Sequence, residues 1–238
     1  NVAAYAVLVV LFATRAARFP QPFFADLVDH KRGVGFFTTV AASCVLGSQF
    51  LVIADAPHIA KGLWFVGVGL WLVVTYTVLT AFTVKESKPT LAEGIHGGWL
   101  TAVVAAQSVA LLGGMLAGEF GEAREVVQFF SLVMWLGGGM LYIWIISLIF
   151  YRYTFYPMSA TALGPPYWIN MGAMAISTVA GAILVVQADT SQLLAQLLPF
   201  LKGLTLLYWA TATWWIPMLV ALGIWRHLTK HVPLRYDV

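Results

Sequence analysis

Charge is what this chain has least of. Only 10% of its 238 residues are Asp, Glu, Lys or Arg, against about 25% in a soluble domain whose surface must face water. The scarcity is organised, because residues 33–54, 62–84, 97–118, 126–151, 153–188 and 203–225 hold no charged residue other than histidine. Each run meets the roughly 20 residues that a helix needs to cross about 30 Å of hydrocarbon. With 61% hydrophobic residues and a mean hydropathy of +0.84, a water-soluble globular domain is excluded. Cysteine is nearly absent as well. The lone Cys44 supplies neither a disulfide framework nor a Cys-rich metal site. The net charge of +3 is too small and dispersed to imply nucleic acid. Buried acids mark proton relays, and paired histidines hold intramembrane haem. Here no acid or base sits mid-span, and His30, His58, His96, His227 and His231 fall at span ends or in loops. Redox and light-sensing classes are therefore disfavoured, no cofactor or metal is expected, and the chain does not read as an enzyme.

What is present is long apolar helix. Backbone groups in hydrocarbon must be satisfied within the segment, so such spans are helical. The alternating pattern of a membrane β-barrel does not occur. The expected fold class is an all-α, polytopic transmembrane bundle, a single transport domain over residues 1–238. Its spans are expected near 2–14, 34–54, 63–83, 97–117, 126–150, 167–187 and 203–225. The first run has only thirteen residues and is followed by Arg15 and Arg18, unlike a signal peptide. It reads as a helix cut short, and the chain as a piece of a larger bundle. The prolines at 20 and 22 are expected to keep the segment 19–30 from starting a helix early, leaving a bent interfacial connector.

The loops alternate between two sides. One side carries Arg15, Arg18, Lys31, Arg32, Lys85, Lys88, Arg152, Arg226, Lys230 and Arg235; the other carries Lys61, Arg124 and Lys202. By the positive-inside rule the base-rich side is cytoplasmic. That assigns loops 15–33, 84–96, 152–165 and 226–238 to the cytoplasm, and the protein to a plasma membrane (the inner membrane in a bacterium).

Two kinds of helix alternate. Gly, Ala, Ser and Cys make up 25 of 63 residues in the three outward-running spans but 13 of 69 in the three full inward-running ones. Small residues let helices pack closely, yet here they fall into weakly polar stripes. Phe37, Ala41, Cys44 and Ser48 share one helical face. Gly98, Thr101, Ala105 and Ser108 share a second, and Asn170, Ala173, Ser177 and Gly181 a third. Their convergence would line a narrow uncharged path. Trp64, Trp71, Trp135, Trp144, Trp209, Trp214 and Trp215 on the inward spans suit an outer, lipid-facing ring.

The stretches GVGFFTTVAASCVLGSQF (33–50), GGMLYIWIISLIFYR (138–152) and PPYWINMGAMAISTVAG (165–181) resemble the tellurite-resistance/dicarboxylate transporter family, which includes the plant slow-type anion channel. The resemblance implies ten helices in five hairpins around a quasi-fivefold pore, with odd helices lining it, and a homotrimer of such protomers. It places this chain over helices two to eight, so that the three small-residue spans become pore walls. The implied function is transport of small inorganic or organic anions across the lipid bilayer. The alternatives are a proton-coupled carrier of C4-dicarboxylates, tellurite or sulfite, and a non-conducting structural subunit.

Overall fold

The computed structural model describes residues 1–233; Arg235, assigned above to the base-rich side, lies outside them. The helices in chain order are α1 (Val2–Arg18), α2 (Pro20–Leu27), α3 (Phe37–Ala54), α4 (Pro57–Val84), α5 (Leu91–Gly94), α6 (Thr101–Leu116), α7 (Arg124–Phe155), α8 (Ile169–Val186), α9 (Gln192–Gln196) and α10 (Leu198–Ile224). No strand occurs among the described residues, so the fold is an all-α bundle. Among the described residues five stretches are long and apolar enough to cross a membrane. One of them, Gly97–Phe155, contains both α6 and α7, which part at Gly121, where φ is 53°. α3 ends at Asp55 in the left-handed region (φ 48°), and the chain turns straight into α4 behind Pro57, a proline suited to the first turn of a helix. α2 starts at Pro20. This corrects the expectation of a non-helical connector: a proline at the first helical position has no N–H to leave unpaired and a φ already set for the helix. α2 leaves α1 at 110°.

Three hairpins, α3–α4, α6–α7 and α8–α10, stack so that α3, α6 and α8 form one layer and α4, α7 and α10 the layer behind it. Three consecutive residues near the end of α6 fix the arrangement. Leu112 fills the space beside Gly47 of α3. Gly113 faces Trp64 of α4 and Ser131 of α7, and Gly114 meets Ile183 of α8. A Cβ on Gly113 would come within 2.9 Å of the Trp64 indole nitrogen, so glycine is what admits the ring at that point.

Buried indoles bind the layers together. Trp64 donates from α4 to the Val109 carbonyl of α6 at 3.1 Å, and Trp135 donates from α7 to the Ser177 carbonyl of α8 at 2.8 Å. Trp215 of α10 donates to the Tyr142 hydroxyl at 2.8 Å, which donates in turn to the Asn170 carbonyl at 3.1 Å. The expected lipid-facing tryptophan ring therefore divides. Trp144, Trp209 and Trp214 are exposed and Trp71 is half-buried, whereas Trp64, Trp135 and Trp215 are interior. In a low-dielectric interior an indole N–H needs an acceptor, and a helix carbonyl with a spare lone pair supplies one.

Candidate functional site

Each helix of the inner layer begins in a 3-10 turn at the same end of the bundle: Gly33–Phe36 before α3, Gly97–Leu100 before α6 and Pro165–Trp168 before α8. The Gly97–Leu100 turn lies between the other two and touches both. Gly97 backs directly onto the Pro166 carbonyl, with no room for a side chain. Three helix N-termini, each with partial positive charge from its unpaired N–H groups, thus lie side by side. They share this end with Arg152, which donates to the Ile95 carbonyl and, at 2.5 Å, to the Tyr167 hydroxyl.

α6 is covered on three sides, and its open side is sharply defined. Among its sixteen residues only Thr101, Val104, Leu111 and Met115 are not buried. With Ser108, which occupies the same face but is itself covered, they form one stripe at helical spacing. Residues at the same spacing are open on the flanking helices: Thr38, Ala41, Val45, Ser48 and Val52 on α3, and Gly172, Ala175, Val179, Ala182 and Val186 on α8. No residue of the three stripes carries a charge.

The residues singled out from the sequence distribute unevenly over this geometry. Ala41, Ser48 and Thr101 lie on the open stripes, and Ser108 lies in register with them. Phe37, Cys44, Ala105, Asn170, Ala173 and Ser177 are buried on closed faces. The sequence reading set these six along a shared path; here their side chains are covered. Cys44 packs against Gly67 of α4. Asn170 donates to the Tyr153 hydroxyl at 3.1 Å and is tied through its carbonyl to Tyr142, both on α7. Ser177 offers its carbonyl to Trp135, and Gly181 lies beneath the same indole. On α8 the small face receives bulky partners from the layer behind, Trp135 against Ser177 and Tyr153 against Asn170, and on α3 Cys44 sits where Gly67 lets α4 approach closely. Sequence reading missed Val104, Leu111 and Met115, whose size and apolarity hide them among core residues.

The hydroxyls on the open stripes donate to backbone carbonyls of their own layer: Thr101 to Val34 (2.6 Å) and Gly98 (2.7 Å), Ser48 to Cys44 (3.1 Å), and Ser108 to Val104 (2.7 Å). Histidines collect at the turn-bearing end. His96 accepts from the Gly98 N–H at 3.1 Å. Its pKa is lowered by burial and then by the Arg152 charge. His30 stacks on Phe82 at 4.3 Å, and burial and the Lys85 charge lower its pKa as well. No group of His, Cys, Asp and Glu able to hold a metal occurs among the described residues.

Such an architecture defines a polytopic helical membrane protein whose inner-layer helices each bear an open, uncharged stripe. The chain matches the family described as Voltage-dependent anion channel over residues 1–237. It belongs to that family, the one that the stretches at 33–50, 138–152 and 165–181 resemble. An uncharacterized membrane protein of Mycobacterium tuberculosis is 41% identical over 97 residues, which is 41% of this chain and 49% of that protein. Two uncharacterized transporters of Methanocaldococcus jannaschii are each 24% identical over 242 residues, covering 99% of this chain and 67% and 66% of those proteins. The matches thus span about half the length of the mycobacterial relative and about two thirds of the archaeal ones. No solved structure matches this chain.

Proposed function

We propose that this chain is the greater part of a transport domain that passes small anions along the open stripes of α3, α6 and α8. The observation that carries the reading is the α6 stripe, the one uncovered side of an otherwise enclosed helix, repeated at the same spacing on both neighbours and free of charge. A wall without fixed charge holds an ion weakly enough to release it. Net attraction for anions comes from the end that gathers three helix N-termini and most of the bases. On this reading that end is cytoplasmic, the membrane is a plasma membrane, and the protomers form a homotrimer with a path in each.

Anion efflux from proteoliposomes holding the intact protein tests the proposal. Val104→Trp on α6 and Val45→Trp on α3 are expected to cut chloride efflux by about ten-fold or more while the protein stays monodisperse, because an indole at either position obstructs a narrow path. Unchanged efflux in both variants, or cation-selective current in the parent, would sink the reading. Saturable uptake of a C4-dicarboxylate, tellurite or sulfite driven by a pH gradient would point to a carrier instead. Sidedness is checked by a cysteine at Glu93, which should resist an impermeant thiol reagent added outside.

A further inference from the structure

α1 is the least embedded long helix of the bundle, since none of its residues is buried. Two ties hold it to α3 at one end: the Asn1 amide donates to Gln49 at 2.9 Å, and the Tyr5 hydroxyl pairs with that of Ser43 at 2.8 Å. At the other end the bend into α2 carries Phe23 back under α1, where its ring lies 5.0 Å from Phe12 and 5.2 Å from Phe36. Between these ties a cleft of about 950 Å³ remains open. Its walls are Leu8 and Val9 of α1, Ala42 of α3, and Val66 and Leu70 of α4. The α4 residues place the body of the cleft toward the outer layer, and it meets the open stripe of α3 only at Thr38.

The mouth of this cleft is different in kind. Arg15 and Arg32 both pair with the Asp26 carboxylate, Arg32 at 2.7 Å, and all three line the cavity. Two guanidiniums sharing one carboxylate leave one positive charge in excess. Each guanidinium also has five N–H donors in a rigid fork, more than one carboxylate uses. The Arg15 and Arg32 side chains remain 50% and 72% exposed. Phe19 and Phe24 lie exposed beside them, as aromatic side chains do at a headgroup boundary.

We propose that the cleft between α1, α3 and α4 binds an anionic phospholipid, with its phosphodiester on Arg15 and Arg32 and its acyl chain along Leu8, Val9, Val66 and Leu70. The proposal rests on α1 lying in the membrane and does not require conduction along the stripes, with which the cleft shares only Thr38. Apolar walls of this extent forfeit dispersion contacts if empty and give water too few partners to hold it. Hydrocarbon is the solvent that fills them. The paired arginines then select among lipids, since guanidinium binds phosphate through two parallel hydrogen bonds and an extra basic group near the membrane surface favours anionic headgroups.

The test uses the intact protein in vesicles of phosphatidylcholine with a quarter phosphatidylglycerol, doped with a phosphatidylglycerol that carries a photoactivatable diazirine on its acyl chain. Irradiation is expected to label peptides from residues 2–18 and from the stretch around Val66 and Leu70. Added phosphatidylglycerol should compete for that labelling; added phosphatidylcholine should not. Each basic group is worth about five-fold in lipid affinity, so Arg15→Gln with Arg32→Gln should lower labelling about ten- to thirty-fold. Ala42→Trp, which fills the cleft and leaves the arginines intact, should also abolish it with the elution profile unchanged. Equal competition by phosphatidylcholine overturns the proposal. So does labelling indifferent to both sets of substitutions. Disulfide trapping of Val9→Cys or Val66→Cys to another protein helix would show the cleft occupied by polypeptide, and overturns it equally.

Discussion

Replacing Trp135 by alanine isolates what holds the two layers together. Trp135 is 0% exposed. Its indole N–H reaches the Ser177 carbonyl at 2.8 Å, its ring meets Tyr208 edge to face at 5.4 Å, and a Cβ on Gly181 would lie 2.7 Å from its Cζ2. Lipid tails are as apolar as the protein interior, so burying an indole here gains no hydrophobic transfer energy. The loss is therefore a cavity and a hydrogen bond. A void of on the order of 100–150 Å³ at ~24 cal/mol per Å³ costs about 2–4 kcal/mol. The hydrogen bond adds about 0.6 kcal/mol, the mean for such bonds between membrane helices. Trp144, on the same helix and 59% exposed, is the control. A gap there opens to acyl chains that fill it, and Trp144→Ala should cost less than about 0.5 kcal/mol, as surface substitutions do. Thermal unfolding in detergent, read as loss of the monodisperse elution peak, should drop on the order of 10 °C for Trp135→Ala and hardly at all for Trp144→Ala. Equal losses would refute the layered packing.

Two further outcomes follow from particular contacts. A Cβ at Gly67 would run into Cys44 Sγ, while one at Gly69, on the opposite face of α4, meets nothing within 4 Å; Gly67→Val should cost about 1–3 kcal/mol by overpacking and Gly69→Val clearly less, and the reverse order would contradict the α3–α4 interface. His96 and His30 both have pKa values below the usual 6.5. The unfolded chain then takes up protons that the folded one resists, so stability is complete above about pH 6.5 and declines as pH falls beneath it. The groups facing His96 are Arg152 and Lys31, and those facing His30 are Lys85, Lys88 and Asp29. Melting between pH 7.5 and 5.5 should fall less steeply in His96→Gln with His30→Phe than in the parent; parallel curves would remove the histidines from the account.

The bundle was legible in the sequence where charge was missing, and the partition of inner from outer helices was legible in the small-residue counts. The face was not. Small, weakly polar stripes on α3 and α8 read as lining a path, because Ser177, Gly181 and Cys44 are the residue types that a wettable surface uses. They are equally the types that let an indole or a second backbone approach, and Trp135 and Gly67 are the partners that claim them. Helical spacing reports that residues share a face; it says nothing of which neighbour the face meets. The open face of α6 bears Thr101, as read, together with Val104, Leu111 and Met115.

The hydroxyls along the open stripes bear on how such a wall treats an anion. Thr101, Ser48 and Ser108 each spend their single hydrogen on a carbonyl, a bond that serine and threonine commonly make in apolar helices. What Thr101 and Ser48 present outward is then hydrocarbon and lone pairs, and neither attracts an anion. On the proposed reading the wall contributes width and low polarity, and the favourable field comes from the end that bears three helix N-termini and the basic residues. Removing the hydroxyls should accordingly matter little. Thr101→Val and Ser48→Ala together are expected to leave chloride efflux within about two-fold of the parent, because no ion contact is lost: Ser48 gives up a bond within its own helix, which contributes little, and Thr101 gives up a tie to the Val34 carbonyl that joins two turns of the wall. Raising ionic strength should weaken chloride entry from the basic end more than from the other, since exposed charges are screened beyond about 8 Å at physiological salt. A ten-fold loss of efflux in the double variant, with folding intact, would show that the hydroxyls turn toward the ion, and the source of anion preference would move from the ends of the bundle to its wall.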